Sequence, residues 1–125
     1  MSDPKMIILY VENAETSAAF YAQLLGKAPA EASPGFAMFP LDGGMMLGLW
    51  RRNGVLPAAS LTGGGGELAF MMADRQGVLD THAAWAKQGI VIAQAPEIMD
   101  FGFTFTALDP DNHRLRVFTP GDMAA

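Results

Sequence analysis

A repeated order of strand-like and helix-like segments constrains this chain more than any other feature of its sequence. An apolar run, MIILYV at 6–11, precedes a helix-like stretch, and a second run, ELAFMM at 67–72, precedes another 61 residues later (67 − 6). Each half closes with an alternating run, MMLGLW at 45–50 and HRLRVF at 113–118. Two similar units in one short chain predict a pseudo-symmetric β-sheet protein with a cavity between its halves.

Composition excludes several classes of function. At 125 residues, of which 50% are hydrophobic, the chain is long enough for one domain with a substantial core. A net charge of −5 without a basic run disfavours nucleic acid as a partner, and the absence of cysteine excludes disulfides and thiolate chemistry. No apolar run reaches the ~18 residues of a membrane span, and no signal peptide is visible. We therefore expect a cytoplasmic protein without membrane contact.

Capping and turn residues define the elements of the first half. The run 6–12 is predicted to be a strand, and Asn13 is predicted to cap a helix that ends at Leu25, before Gly26. The apolar runs 36–41 and 45–51 flank Asp-Gly-Gly at 42–44, which is typical of a hairpin turn. Residues 53–66, which end in four glycines, are predicted to be a linker rather than a phosphate-binding loop, because no Lys-Ser/Thr follows them.

The second half repeats this order. A strand over 67–72 is followed by a helix that Asp74 caps and Gly89 ends, whose buried face is predicted to include the residues Val78, Leu79, His82, Trp85 and Ala86. A short strand over 90–93 precedes two strands, 101–108 and 113–119, joined by a turn at Asp-Pro-Asp-Asn, 109–112. Each unit is therefore predicted to be βαβββ, and the fold class α+β.

Three stretches resemble the vicinal oxygen chelate superfamily, which groups glyoxalases, bleomycin-resistance proteins and extradiol dioxygenases. They are ILYVENAETSAAFYAQLLG at 8–26, GELAFMMAD at 66–74 and FTALDPDNHRLRVFTP at 105–120. The resemblance implies one domain over 1–125, with module 1 at about 5–52, the linker at 53–66 and module 2 at about 67–120. It further implies that the two βαβββ modules form a curved mixed sheet around a ligand cavity.

The metal enzymes of this superfamily draw their ligands from the first and last strands of each module. Matched residue by residue, those positions fall on Met6, Gly48, Glu67 and Arg116. Only Glu67 is a ligand for a hard or borderline divalent ion, since Met6 offers a soft thioether and Arg116 a permanent positive charge. A divalent site normally needs three protein ligands. The resemblance therefore predicts no metal and no other cofactor.

Strand alternation assigns each side chain to a face of the sheet. The face of the four family positions also holds Ile8, Ala69 and the residues that we predict to bind a ligand: Tyr10, Met46, Trp50, Glu67, Met71, Arg114, Arg116 and Phe118. The opposite face is uniformly apolar and is predicted to pack under the helices. An apolar pocket with a few polar groups is typical of a small-molecule site.

Structural roles compete with the binding roles. Trp50 and Phe118 are equally consistent with core aromatics, and Glu67 with Arg116 is consistent with a structural ion pair. His82 is predicted to be a packed helix residue and His113 a solvated hairpin residue, because neither has a partner at a triad or metal spacing. Asp109 and Asp111 are assigned to the turn for backbone reasons. The Asp-Phe-Gly at 100–102 is interpreted as chance, since other kinase motifs are absent.

The leading functional hypothesis is a metal-free protein that binds a small molecule, similar to members of the superfamily that sequester antibiotics. One alternative is a glyoxalase-like lyase or isomerase, or a dioxygenase-related enzyme, with an atypical metal site or with Glu67 as general base. Another is a structural or dimerisation module without a ligand. The resemblance also implies a homodimer, because superfamily members of this size are commonly dimeric.

Overall fold

The computed structural model describes residues 3–120, which divide between Gly64 and Gly65 into two compact units. The first unit contains β1 (Met6–Val11), α1 (Ala14–Leu25), β2 (Glu31–Ala32), β3 (Phe36–Pro40) and β4 (Met46–Arg51). The second contains β5 (Glu67–Met71), α2 (Arg75–Lys87), β6 (Val91–Met99), β7 (Gly102–Leu108) and β8 (Arg114–Pro120). The α+β class and the βαβββ order of both units are confirmed.

Both sheets have the same mixed topology. In the first, the order is β1-β4-β3-β2, with β1 parallel to β4 and β3 antiparallel to β4. In the second, the order is β5-β8-β7-β6, with β5 parallel to β8 and β7 antiparallel to β8. In each unit the helix follows the first strand and covers one face of the sheet, and the other face stays uncovered by it.

The predicted caps set where both helices begin. Asn13 Oδ1 accepts the backbone N–H of Thr16 at 3.0 Å, and Asp74 Oδ1 accepts that of Gly77 at 2.8 Å. Each bond satisfies one of the donors that a helix leaves free in its first turn. Gly26 ends α1 in the left-handed conformation, with φ of 68°, as predicted.

The core of each unit lies between the sheet and its helix. In the first unit Leu47 and Leu49 of β4 are fully buried with Tyr21 of α1, and in the second Leu115 and Val117 of β8 are buried with Trp85 of α2. The rings of Trp85 and Phe105 meet edge to face at 5.5 Å. The assignment of these residues to the apolar face is therefore confirmed.

Two details of the second unit differ from prediction. Leu79 and Ala86 of α2 are exposed, because the buried stripe is narrower and centres on Val78 and Trp85. Strand β6 extends to Met99 rather than ending at Ala93. It is an edge strand with two irregularities in its pairing to β7, and Pro96 and Glu97 interrupt the apolar pattern that would have revealed its length.

The prediction that His113 is solvated was wrong. His113 is 7% exposed, and its Nδ1 lies 2.8 Å from Oδ2 of Asp109, while Oδ1 of Asp109 accepts the backbone N–H groups of Asp111 and His113. The backbone role predicted for Asp109 is confirmed. The same carboxylate also holds the imidazole, which buries His113 beneath the turn.

Candidate functional site

The face of the second sheet that α2 does not cover carries an open pocket of about 480 Å³. Its lining consists of Glu67, Ala69, Phe101, Arg116 and Phe118. The strands fix this arrangement, because Ala69 of β5 and Arg116 of β8 are register partners and Phe118 lies two residues further along the same face. Three predicted binding residues, Glu67, Arg116 and Phe118, thus come together here.

The small side chain of Ala69 gives the pocket its depth. Ala69 lies between Glu67 and Met71 on one face of β5, so its methyl group forms a low point between two long side chains. The rings of Phe101 and Phe118 form an aromatic wall, with centroids 6.2 Å apart in an edge-to-face arrangement. The result is an open, mainly apolar concavity with two aromatic rings on one side.

A bidentate ion pair forms the polar side of the pocket. Arg116 Nε donates to Glu67 Oε1 at 2.7 Å, and Arg116 Nη2 donates to Glu67 Oε2 at 2.9 Å. These hydrogen bonds hold the pKa of Glu67 below its ordinary value, and the charges of Arg116 and Arg114 act in the same direction against the effect of desolvation. Glu67 is therefore a carboxylate whose two oxygens already have a partner. The ion pair that the sequence suggested is confirmed as a structural feature.

Side chains from two further strands hold the guanidinium in place. Arg116 Nη1 donates to Gln94 Oε1 and to Thr104 Oγ1, each at 3.2 Å, and Thr106 Oγ1 donates to Gln94 Oε1 at 2.9 Å. The Arg116 guanidinium also lies 5.7 Å from the ring centroid of Phe101. With Glu67 on the opposite side, these contacts fix Arg116 as part of the pocket wall.

Three residues around the pocket were not predicted from the sequence: Gln94, Phe101 and Thr104. A signal for Thr104 and Thr106 was present, because a hairpin turn at 109–112 sets the register that pairs Thr106 with Arg116 and Thr104 with Phe118. No comparable signal existed for Gln94, since β6 was assumed to end before it. Phe101 lies outside the strand and reaches the pocket through a turn.

The other predicted binding residues of the second unit lie on the same sheet face but do not line the pocket. Met71 is 66% exposed, and its register partner is Phe118. Arg114 is also exposed, and its register partner is Glu67. Both therefore border the pocket along the strand direction.

The remaining three predicted residues lie on the uncovered face of the first sheet. The rings of Tyr10 and Trp50 meet edge to face at 6.3 Å across the parallel pair β1–β4, and Met46 is half-buried on the same face. At Gly48, a side chain would meet the Phe36 ring, since a Cβ there would lie 3.2 Å from its nearest atom. The first sheet thus presents an almost wholly apolar surface on this side.

Comparison with known proteins establishes the family. The model of the Glyoxalase/Bleomycin resistance protein/Dioxygenase superfamily matches residues 4–117. The chain belongs to this superfamily. Its sequence is also 31% identical over 117 residues to the phenazine antibiotic resistance protein EhpR of Enterobacter agglomerans, with 91% of this chain and 89% of that protein covered.

Two solved structures are similar in fold to this chain. The solution structure of protein ATC0852 from Agrobacterium tumefaciens is similar with a TM-score of 0.89 and 51% identity, covering 97% of this chain and 99% of that one. A glyoxalase/bleomycin resistance protein/dioxygenase from Nocardioides is similar in fold, with a TM-score of 0.82 and 21% identity over 98% of this chain and 87% of that one.

The divalent metal that superfamily enzymes use does not fit the residues present in either unit. In the first, the two family positions are Met6, which offers a thioether, and Gly48, which has no side chain and whose Cβ position lies 3.2 Å from the Phe36 ring. In the second, Arg116 occupies both carboxylate oxygens of Glu67. Across residues 3–120, no three His, Asp or Glu side chains converge as a metal would require.

Neither α1 nor α2, the helices of that same stretch, could cross a membrane.

Proposed function

We propose that this member of the superfamily binds a planar aromatic small molecule reversibly and lowers its free concentration without transforming it. The observation that carries the proposal is the pocket of the second unit, in which two phenylalanine rings face an ion pair that is already internally satisfied. Such a site offers stacking and apolar burial to a flat ligand. The similarity to a phenazine antibiotic resistance protein supports a role in antibiotic resistance.

The competing enzyme function, a glyoxalase-like lyase or isomerase or a dioxygenase-related reaction, would require a metal or a general base. A general base works best when its pKa lies near the operating pH. The hydrogen bonds from Arg116 move the pKa of Glu67 in the opposite direction, below its ordinary value. Glu67 is therefore a poor base, and this argues for binding over turnover.

Titration with phenazine tests the proposal directly. We expect saturable binding with one site per chain by calorimetry, and recovery of unaltered phenazine after prolonged incubation. Replacement of Phe118 by alanine should weaken binding, because it removes half of the aromatic wall. Its matched control is Leu79→Ala on the exposed side of α2. Failure of phenazine to bind, or its conversion to a product, would contradict the proposal.

Metal content separates binding from metal-dependent catalysis. Three of the four family positions, Met6, Gly48 and Arg116, are not ligands for zinc, nickel or iron(II). We therefore expect protein purified without chelator to contain far less than one such ion per chain by elemental analysis, and EDTA to leave phenazine binding unchanged. Stoichiometric metal would revive the enzyme function.

We further propose that the protein is a cytoplasmic homodimer. The dimeric state is common among superfamily members of this size. Light scattering at micromolar concentration should give about twice the mass of the 13.3 kDa chain. A single monomeric species under these conditions would refute the dimer while leaving ligand binding to be judged by titration.

A further inference from the structure

Arg114 is a second guanidinium beside the pocket, and it differs from Arg116 in having no ion-pair partner among residues 3–120. The two arginines are two residues apart on β8 and therefore share a sheet face. Arg114 is exposed and lies in register with Glu67 of β5. Both Glu67 oxygens are nevertheless taken by Arg116, and within residues 3–120 Arg114 forms no hydrogen bond or ion pair.

The strand pair β5–β8 offers a guanidinium beside the pocket that no carboxylate of residues 3–120 pairs with. On these two strands one carboxylate, Glu67, lies with two guanidinium groups, of which Arg116 is paired with it and Arg114 is not. A further carboxylate on β6, Glu97, accepts a hydrogen bond from Gln94 Nε2 at 2.8 Å. The charge of Arg114 acts on Glu67, since it helps to hold the pKa of that carboxyl below its ordinary value. An anion placed at the pocket border would experience the same attraction.

Resting on the function proposed above, we propose that the ligand is an aromatic carboxylate whose ring lies against Phe101 and Phe118 and whose carboxylate is bound by Arg114. In this arrangement Arg116 is a positioning residue, because its donors are committed to Glu67, Gln94 and Thr104. Arg114 is the residue that determines specificity for charge.

The dimensions of the strand agree with this arrangement. Phe118 lies four positions after Arg114, which corresponds to about 13 Å along an extended strand. A fused aromatic ring system and an arginine side chain together can span that distance. A guanidinium also presents two parallel N–H groups to a carboxylate, a geometry that an uncharged group of the same shape cannot reproduce with equal strength.

A matched pair of probes isolates the charge of the ligand. Phenazine-1-carboxylate and phenazine-1-carboxamide have the same rings and nearly the same shape, and at pH 7.5 only the first is charged. For the unmodified protein we expect calorimetry to give an affinity for the carboxylate about tenfold higher than for the carboxamide, the size of one charge-assisted contact. Added salt should reduce this ratio, because the contact is exposed.

Variants assign that ratio to one arginine. Arg114→Gln should bring the ratio close to one, and Arg114→Lys should restore part of it. Lys87→Gln, which removes one positive charge from the exposed surface of α2, should retain the full ratio. Glu67→Gln should increase the ratio, because it releases Arg116 from its anionic partner. Thermal unfolding of each variant verifies that it is folded.

The outcomes distinguish this proposal from the one on which it rests. Equal binding of both probes, or a ratio that survives Arg114→Gln, overturns the role of Arg114 while reversible phenazine binding stands. If Arg116→Gln abolishes the ratio and Arg114→Gln does not, the carboxylate is bound by Arg116 rather than by Arg114, and the role proposed for Arg114 is likewise overturned. If phenazine and both probes fail to bind, both proposals are wrong.

Discussion

The two units share a fold plan but differ sharply in the chemistry of the sheet face that the helix leaves uncovered. Gly48 and Arg116 occupy equivalent positions in the last strand of each unit, 68 residues apart (116 − 48). Gly48 pairs with Ile8 and Met38, whereas Arg116 pairs with Ala69 and Thr106. The covered faces, by contrast, are apolar in both units. The covered face maintains the fold, and the uncovered face is where the two units have diverged.

The largest effects that would test this division are on stability. Leu49→Ala and Leu115→Ala should each lower the free energy of unfolding by about 2–5 kcal/mol, because both leucines are fully buried and truncation leaves a cavity. Met71→Ala, at a side chain that is 66% exposed, should change it by less than about 0.5 kcal/mol. Urea unfolding measures all three. A loss for Met71→Ala as large as that for Leu115→Ala would show that the uncovered face also holds the fold.

A smaller effect, on affinity, would show whether the apolar face of the first unit takes part in binding. A ligand confined to the pocket of the second unit should leave the phenazine affinity of Trp50→Ala unchanged, whereas a loss of roughly 1–3 kcal/mol with the fold intact would show that the apolar face of the first unit also takes part in binding. In single-tryptophan variants, a response of Trp50 fluorescence to ligand would report the same participation, while Trp85, which is buried against Phe70 and Phe105, should not respond. A response from Trp85 alone would mean that the binding face is assigned wrongly.

The smallest effect concerns the Glu67–Arg116 ion pair of the second unit. Arg116 lowers the pKa of Glu67, so the pair stabilises the folded state above the ordinary pKa of 4.5, and this contribution is lost as the pH falls through the lowered value. The gain should be below ~1 kcal/mol because the pair is partly exposed. The difference in free energy of unfolding between the unmodified protein and Glu67→Gln should therefore be larger at pH 7 than at pH 3. A constant difference would exclude this linkage.

Local rules were sufficient to predict most of the fold. Asn13 and Asp74 cap their helices as predicted, and alternation placed Leu49 and Leu115 on the covered face, because caps and pleats depend on neighbouring residues alone. The family resemblance supplied the grouping of the strands into two βαβββ modules with a mixed sheet, which alternation cannot provide. Both kinds of inference agree with the observed topology.

The candidate site was only half predictable, for a physical reason. Alternation identified Glu67, Arg116 and Phe118, since these lie on regular strands. Gln94 was missed because β6 continues past an irregular pairing that no apolar pattern marks. His113 was misjudged because its burial depends on a hydrogen bond to Asp109, and hydrogen-bond partners of this kind are set by the course of the turn rather than by the polarity of the residue.

Gly102 fixes the position from which Phe101 enters the pocket wall. Its φ is 148°, and a side chain there would collide with the backbone of Thr119 and Pro120, which the first residue of β7 approaches closely. The aromatic ring of Phe101 therefore reaches the pocket from the position directly before a residue that must be glycine. In a selection for altered ligand preference, position 101 can be varied, but every folded clone should retain glycine at 102. The direction from which residue 101 enters the pocket is therefore fixed by the backbone, and only its side chain can evolve.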